Sequence, residues 1–115
     1  MTTPQAITGQ TARTVPVACT LTSADLAAQA RRWEQLMDLA LAERAETADG
    51  VRLSFRAEPG AEEELRSLVA VERECCAWAS WKVDKSDGAI VLDVRSTAEG
   101  IPALHGMFWP DQAAR

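Results

Sequence analysis

Cys75 and Cys76 are adjacent, Glu72 stands three and four residues before them, and Cys19 is the only other thiol in the 115-residue chain. Residues three and four apart share a helix face, so on a helix Glu72 approaches both thiols. Neighbouring helical residues differ by about 100° in direction, so two adjacent sulfurs meet only at a point between them. A helix end, where geometry relaxes before Trp78 and Trp81, eases that convergence. Cys19 has to be delivered by a separate element.

Thiolates donate to soft ions, and two or three of them suit Hg(II), As(III), Cu(I), Cd(II) or Zn(II). Glu72 then serves as a further ligand, or as a proton acceptor that keeps a thiol in its metal-binding form. The same groups are the parts of a cysteine-dependent enzyme, with Cys19, Cys76 and Glu72 as its catalytic residues. A third reading is plainer. Cysteine is often simply buried, and a structural or protein-interaction domain needs no more of Cys75 and Cys76 than packing. In that case Glu72, on the apolar face, needs a partner such as Arg44, because an unpaired buried carboxylate is costly.

His105 is the only histidine. It falls on a short last helix, four residues after Ile101, where a core-edge role is the ordinary one. Joined to Cys19, Cys75 and Cys76 it would complete a Cys3His set suited to zinc. The interval from Cys76 to His105 crosses a whole hairpin and matches no local zinc finger.

Hydrophobic residues make up 47% and charged residues 25%, the balance of an ordinary soluble domain. The net charge of −5, with no basic stripe, argues against nucleic acid as a partner. No apolar run approaches a membrane span. Residues 1–10 lack the form of a secretory signal, and an odd cysteine count suits reduced thiols, so a cytoplasmic location is expected. Residues 1–14 read as a flexible leader, 15–110 as one domain, and 111–115 as a tail.

The elements follow from periodicity and punctuation. Residues 15–21 are β-prone. Thr22 and Asp25 mark the start of a helix in which Leu26, Ala30, Trp33, Met37, Ala40 and Leu41 recur at helical spacing, running to Asp49-Gly50. Arg44 falls within its apolar arc. Val51, Leu53 and Phe55 alternate with polar residues as a strand. Glu62, Glu63 and Glu64 crowd the first turn of a second helix, about Ala61 to Ala79, with Leu65, Leu68, Val69, Glu72 and Cys76 in one arc. Asp87-Gly88 predicts a hairpin pairing Lys85 with Ile90, Val83 with Leu92 and Trp81 with Val94. Ser96 or Thr97 caps a last helix carrying Ile101, Leu104 and Phe108. The expected order is β-α-β-α-β-β-α, an α/β domain of α+β type in which a mostly antiparallel sheet carries helices on one face. Trp78 projects away from the core side of its helix, where it covers the thiols or makes a contact in a homodimer.

The run from Cys19-Thr20-Leu21 through Gly50–Phe55 to Glu72-Arg73-Glu74-Cys75-Cys76-Ala77-Trp78 resembles a group of small bacterial C-x-L…E-x-x-C-C proteins sometimes associated with heavy-metal resistance. The similarity spans about Val17 to Phe108. It implies Cys19, Glu72, Cys75 and Cys76 as the matching positions, and no established activity. A looser similarity, of chemistry and not of motif, is to organomercurial lyase, which combines two cysteines with a carboxylate. An organometallic small molecule is the partner that likeness implies.

Overall fold

The computed structural model describes residues 22–109; residues 15–21 with Cys19, the leader and the tail lie outside them. Helix α1 spans Ser23–Ala40, and the Thr22 hydroxyl accepts a bond from the Asp25 N–H at 3.2 Å, the cap expected at that position. Its buried residues are Gln29, Trp33, Leu36 and Ala40. Leu26 and Ala30, expected inside, are exposed. The stripe is displaced by one position toward the N-terminus, and that displacement puts a glutamine in the core.

The helix stops about two turns earlier than its periodicity suggests. Leu41–Thr47 is a strand, β1, that turns through Ala48 and Asp49 into β2, Gly50–Arg56. Two features account for this. Leu-Ala-Glu-Arg-Ala-Glu-Thr favours helix locally, but as an edge strand it buries little and needs no apolar alternation. Arg56 on β2 also donates to the carbonyls of Leu39 and Leu41, at 2.8 and 3.2 Å. It thereby satisfies the end of α1, which has no basic residue in its last turn.

Helix α2 spans Ala61–Cys75, and β3 (Ala79–Ser86) and β4 (Ala89–Ser96) follow. The hairpin register is the expected one: Lys85 faces Ile90, Val83 faces Leu92 and Trp81 faces Val94. Asp87 and Gly88 have φ of 50° and 79°, the left-handed pair a two-residue turn of this hand requires. A 3-10 turn at Ala98–Gly100 leads into α3, Ile101–Phe108.

The four strands form one antiparallel sheet in the order β1-β2-β4-β3. Val51, Leu53 and Phe55 of β2 and Ile90, Leu92 and Val94 of β4 are buried with Trp81 beneath the three helices. The other face is polar, with Arg52 and Asp93 paired across it at 3.0 Å. The result is an α+β two-layer sandwich, and its described order is α-β-β-α-β-β-α. No helix among the described residues is long and apolar enough to cross a membrane.

Candidate metal centre

Helices α1 and α2 pack antiparallel. Arg32 reaches Glu64 and Ser67 near the start of α2, while Gln29 reaches Leu68 and Glu72 farther along it. The first half of α1 therefore lies beside the end of α2, where the thiols are.

That end is built by a change of backbone direction. The helix was expected to continue to Ala79, but Cys76 leaves it at φ −121° and ψ 59°. The Cys76 N–H still donates to the Glu72 carbonyl at 2.6 Å. Its carbonyl accepts from the Ala79 N–H at 3.2 Å and from Trp81 Nε1 at 3.3 Å. Arg73 donates to the Trp81 carbonyl at 2.8 Å. These bonds fold the chain from α2 directly into β3, and the departure from helical geometry lets the adjacent thiols converge. Their sulfurs are 3.6 Å apart, far beyond the ~2.05 Å of a disulfide bond.

Glu72 sits one turn back, 3% exposed, with Cys75 at 4% and Cys76 at 5%. Its Oε2 accepts from Trp33 Nε1 at 2.8 Å and from Gln29 Nε2 at 3.0 Å. Its Oε1 is turned to sulfur, 3.8 Å from Cys75 Sγ. One oxygen is thus held by two neutral donors and the other faces the thiols. Donor atoms of Glu72, Cys75 and Cys76 all lie within 4.8 Å of one another, close enough to hold one ion. Trp33 and Trp81 stack at 6.4 Å, and Phe108 meets Trp33 edge-on at 5.2 Å, so aromatic surface adjoins the carboxylate.

Of the anticipated site residues, the fold brings together Glu72, Cys75 and Cys76. Cys19 lies outside the described residues. His105 does not join them: its Nε2 is 3.9 Å from Glu46 on the edge strand β1, and its ring packs on Trp109 at 5.3 Å. The Arg44–Glu72 pair that the plain packing reading called for is not formed: Gln29 and Trp33 are the partners of Glu72. Arg44 belongs to β1 instead of a helix, where its guanidinium donates to the Phe108 carbonyl at 2.6 Å and lies over Trp109. Trp78 is half-buried in the turn after Cys76, its ring so close to Gly100 that a Cβ there would come within 2.8 Å of it.

Gln29 and the Trp33 indole N–H are the two site groups that sequence reasoning missed. The available signal was a polar residue in the series 29, 33, 36, 40, which keeps helical spacing. Comparison with protein-family models, curated proteins and solved structures yields no match.

Proposed function

We propose that this protein binds a soft, thiophilic metal or metalloid ion at Glu72, Cys75 and Cys76. The observation that carries this reading is the buried carboxylate, oriented by Gln29 and Trp33 so that its second oxygen faces two converging sulfurs. A carboxylate in so dry a place costs several kcal/mol that two neutral hydrogen bonds offset only in part. A bound cation would offset the rest. Inert packing of two cysteines gives no reason for that carboxylate to be there.

The donor spacing suits an ion with bent coordination. With metal–sulfur bonds of about 2.3 Å, a tetrahedral angle separates two sulfurs by about 3.8 Å and a linear one by about 4.6 Å. The observed 3.6 Å fits the first without rearrangement.

Cleavage of an organomercurial is the second reading, favoured by the Glu72 oxygen that faces sulfur. One thiolate would hold R–Hg, a second would join, and the carboxylic proton would pass to carbon as the Hg–C bond breaks. The product, Hg(II) on two sulfurs, prefers the linear spacing this pair lacks, which ranks the reading second.

Native mass spectrometry of the reduced protein with Zn(II), Cu(I), Hg(II) and As(III), each alone, tests binding. Wild type should retain one ion, and Cys76→Ser should weaken retention most, ahead of Cys19→Ser, Cys75→Ser and Glu72→Gln. Uptake of no ion by folded wild type would sink the proposal. Hydrocarbon released from an organomercurial, and lost in Glu72→Gln while capture persists, would promote the second reading.

A further inference from the structure

We infer that Cys75 and Cys76 are also a two-electron redox couple, which hydrogen peroxide joins in a disulfide between neighbouring residues. The couple stands on the geometry of the two thiols. Its consequence for a bound ion rests on the binding proposal above.

Two neighbours inside a helix cannot form such a bond, because their side chains diverge by about 100°. Here Cys75 is the last residue of α2, and Cys76 has left the helix at φ −121° and ψ 59°. The Cys76 carbonyl is held in its new direction by the Ala79 N–H at 3.2 Å and by Trp81 Nε1 at 3.3 Å. With that turn made, the sulfurs stand 3.6 Å apart, in contact. Bringing them to the ~2.05 Å of an S–S bond takes about 1.5 Å of travel.

Burial selects the oxidant. Cys75 is 4% exposed and Cys76 5%. Hydrogen peroxide is uncharged and little larger than water, so it reaches thiols that a bulky disulfide does not. One thiol attacks it: an S–O bond forms, the O–O bond breaks, and the thiol proton leaves with the released hydroxide as water. The second sulfur then displaces hydroxide from that sulfenic acid, and its proton leaves in a second water as the S–S bond forms. The two sulfurs lose two electrons in all, and peroxide gains them.

The product is easily reversed. Neighbouring Cα atoms stand about 3.8 Å apart across a trans peptide, under the ~4.4–6.8 Å usual for a disulfide. A bond strained in this way is readily reduced, as labile and regulatory disulfides are. A small dithiol reopens it by exchange, both sulfurs regaining protons as the dithiol becomes its own disulfide. Closure takes both sulfur donors from an ion, so oxidation empties the site and reduction restores it.

The test treats the reduced full-length chain with a small excess of hydrogen peroxide, blocks remaining thiols with iodoacetamide, and maps tryptic peptides by mass. Glu74–Lys82, cut out at Arg73 and Lys82, carries both thiols. It should appear unalkylated and two hydrogens lighter, with Cys19 alkylated. Dithiothreitol should restore its reduced mass. Cys19→Ser should leave the rate within twofold. In that background Cys75→Ser and Cys76→Ser, checked for fold by circular dichroism, should each halt at a sulfenic acid that dimedone traps. A peptide joined to Cys19, or sulfinic acid without the loss of two hydrogens, overturns the inference.

Zn(II) and Hg(II), which peroxide does not oxidise, test the consequence by native mass spectrometry. The loaded chain should close at least tenfold more slowly and lose one ion per disulfide formed. An ion retained on the closed form overturns the release. A chain that closes but binds no ion when reduced leaves the couple standing and removes the binding proposal.

Discussion

At the scale of single residues, Glu72 organises the site because its two oxygens have different tasks. Oε2 takes the N–H groups of Gln29 and Trp33, and Oε1 is left for sulfur or an ion. Trp33→Phe keeps an aromatic ring beside Trp81 and Phe108 but removes the indole donor and some buried volume. It should cost about 1–3 kcal/mol in urea unfolding, since the carboxylate keeps its burial and loses a partner. In a Glu72→Leu background the same change should cost much less, and additive losses in that cycle would show that the 2.8 Å bond contributes nothing. On the proposed ion-binding reading, affinity should fall about 10- to 100-fold in Trp33→Phe, as it does when a group that orients a ligand is removed.

At the scale of elements, the two hairpins depend on glycine for different reasons. Gly88 supplies a positive φ of 79° with open space where a side chain would be. Gly88→Ala should therefore cost only the left-handed strain, about 1–2 kcal/mol, and keep the register. Gly50 has no such backbone demand. A Cβ there would overlap the Val94 carbonyl on the neighbouring strand, and the Asp49 carbonyl beside it accepts from the Ser96 N–H at 2.8 Å. Gly50→Ala must displace backbone from the middle of the sheet and should cost about 3 kcal/mol or more. Equal unfolding midpoints for the two variants would refute this ordering.

At the scale of the whole molecule, acid should loosen the layer that holds the site. Arg32 grips Glu64 with two bonds, at 2.8 and 2.9 Å, tying α1 to α2. The hydrogen bond from Arg32, outweighing desolvation, holds the Glu64 carboxyl below its ordinary value of 4.5. A carboxyl depressed on folding contributes stability above its unfolded pKa and loses it as pH falls through the lower folded value. The contribution is therefore full at neutral pH, begins to fall below about pH 4.5 and is gone only below the lower folded value. Both side chains are over a third exposed, so it is modest and screened by salt. Glu64→Gln should flatten the acid limb of a stability–pH curve measured by urea unfolding. On the proposed ion-binding reading, an ion at the site should act on the molecule as a whole. At a hundredfold excess over Kd it adds about 2.7 kcal/mol, visible as a concentration-dependent rise in Tm.

The features legible in the sequence are those settled within a few residues. Asp87-Gly88 between alternating strands determines both turn and register, because left-handed turn chemistry and period-two burial act locally. Glu72 facing Cys75 follows from helical spacing alone. The two-layer plan follows from two amphipathic helices and half-covered strands. Contacts distant in the chain decided the rest. Leu41–Thr47 becomes a strand because β2 offers it an edge and Arg56 ends the helix before it, and an edge strand that buries so little carries no apolar signature. That change takes Arg44 away from Glu72 and gives it to Phe108. Gln29 enters the core because a carboxylate on another helix needs its amide, and Cys76 turns toward Cys75 because Trp81 and Ala79 bind its carbonyl. A site made from two helices and the start of a strand is a property of their packing, and local spacing records only the part that a single helix carries.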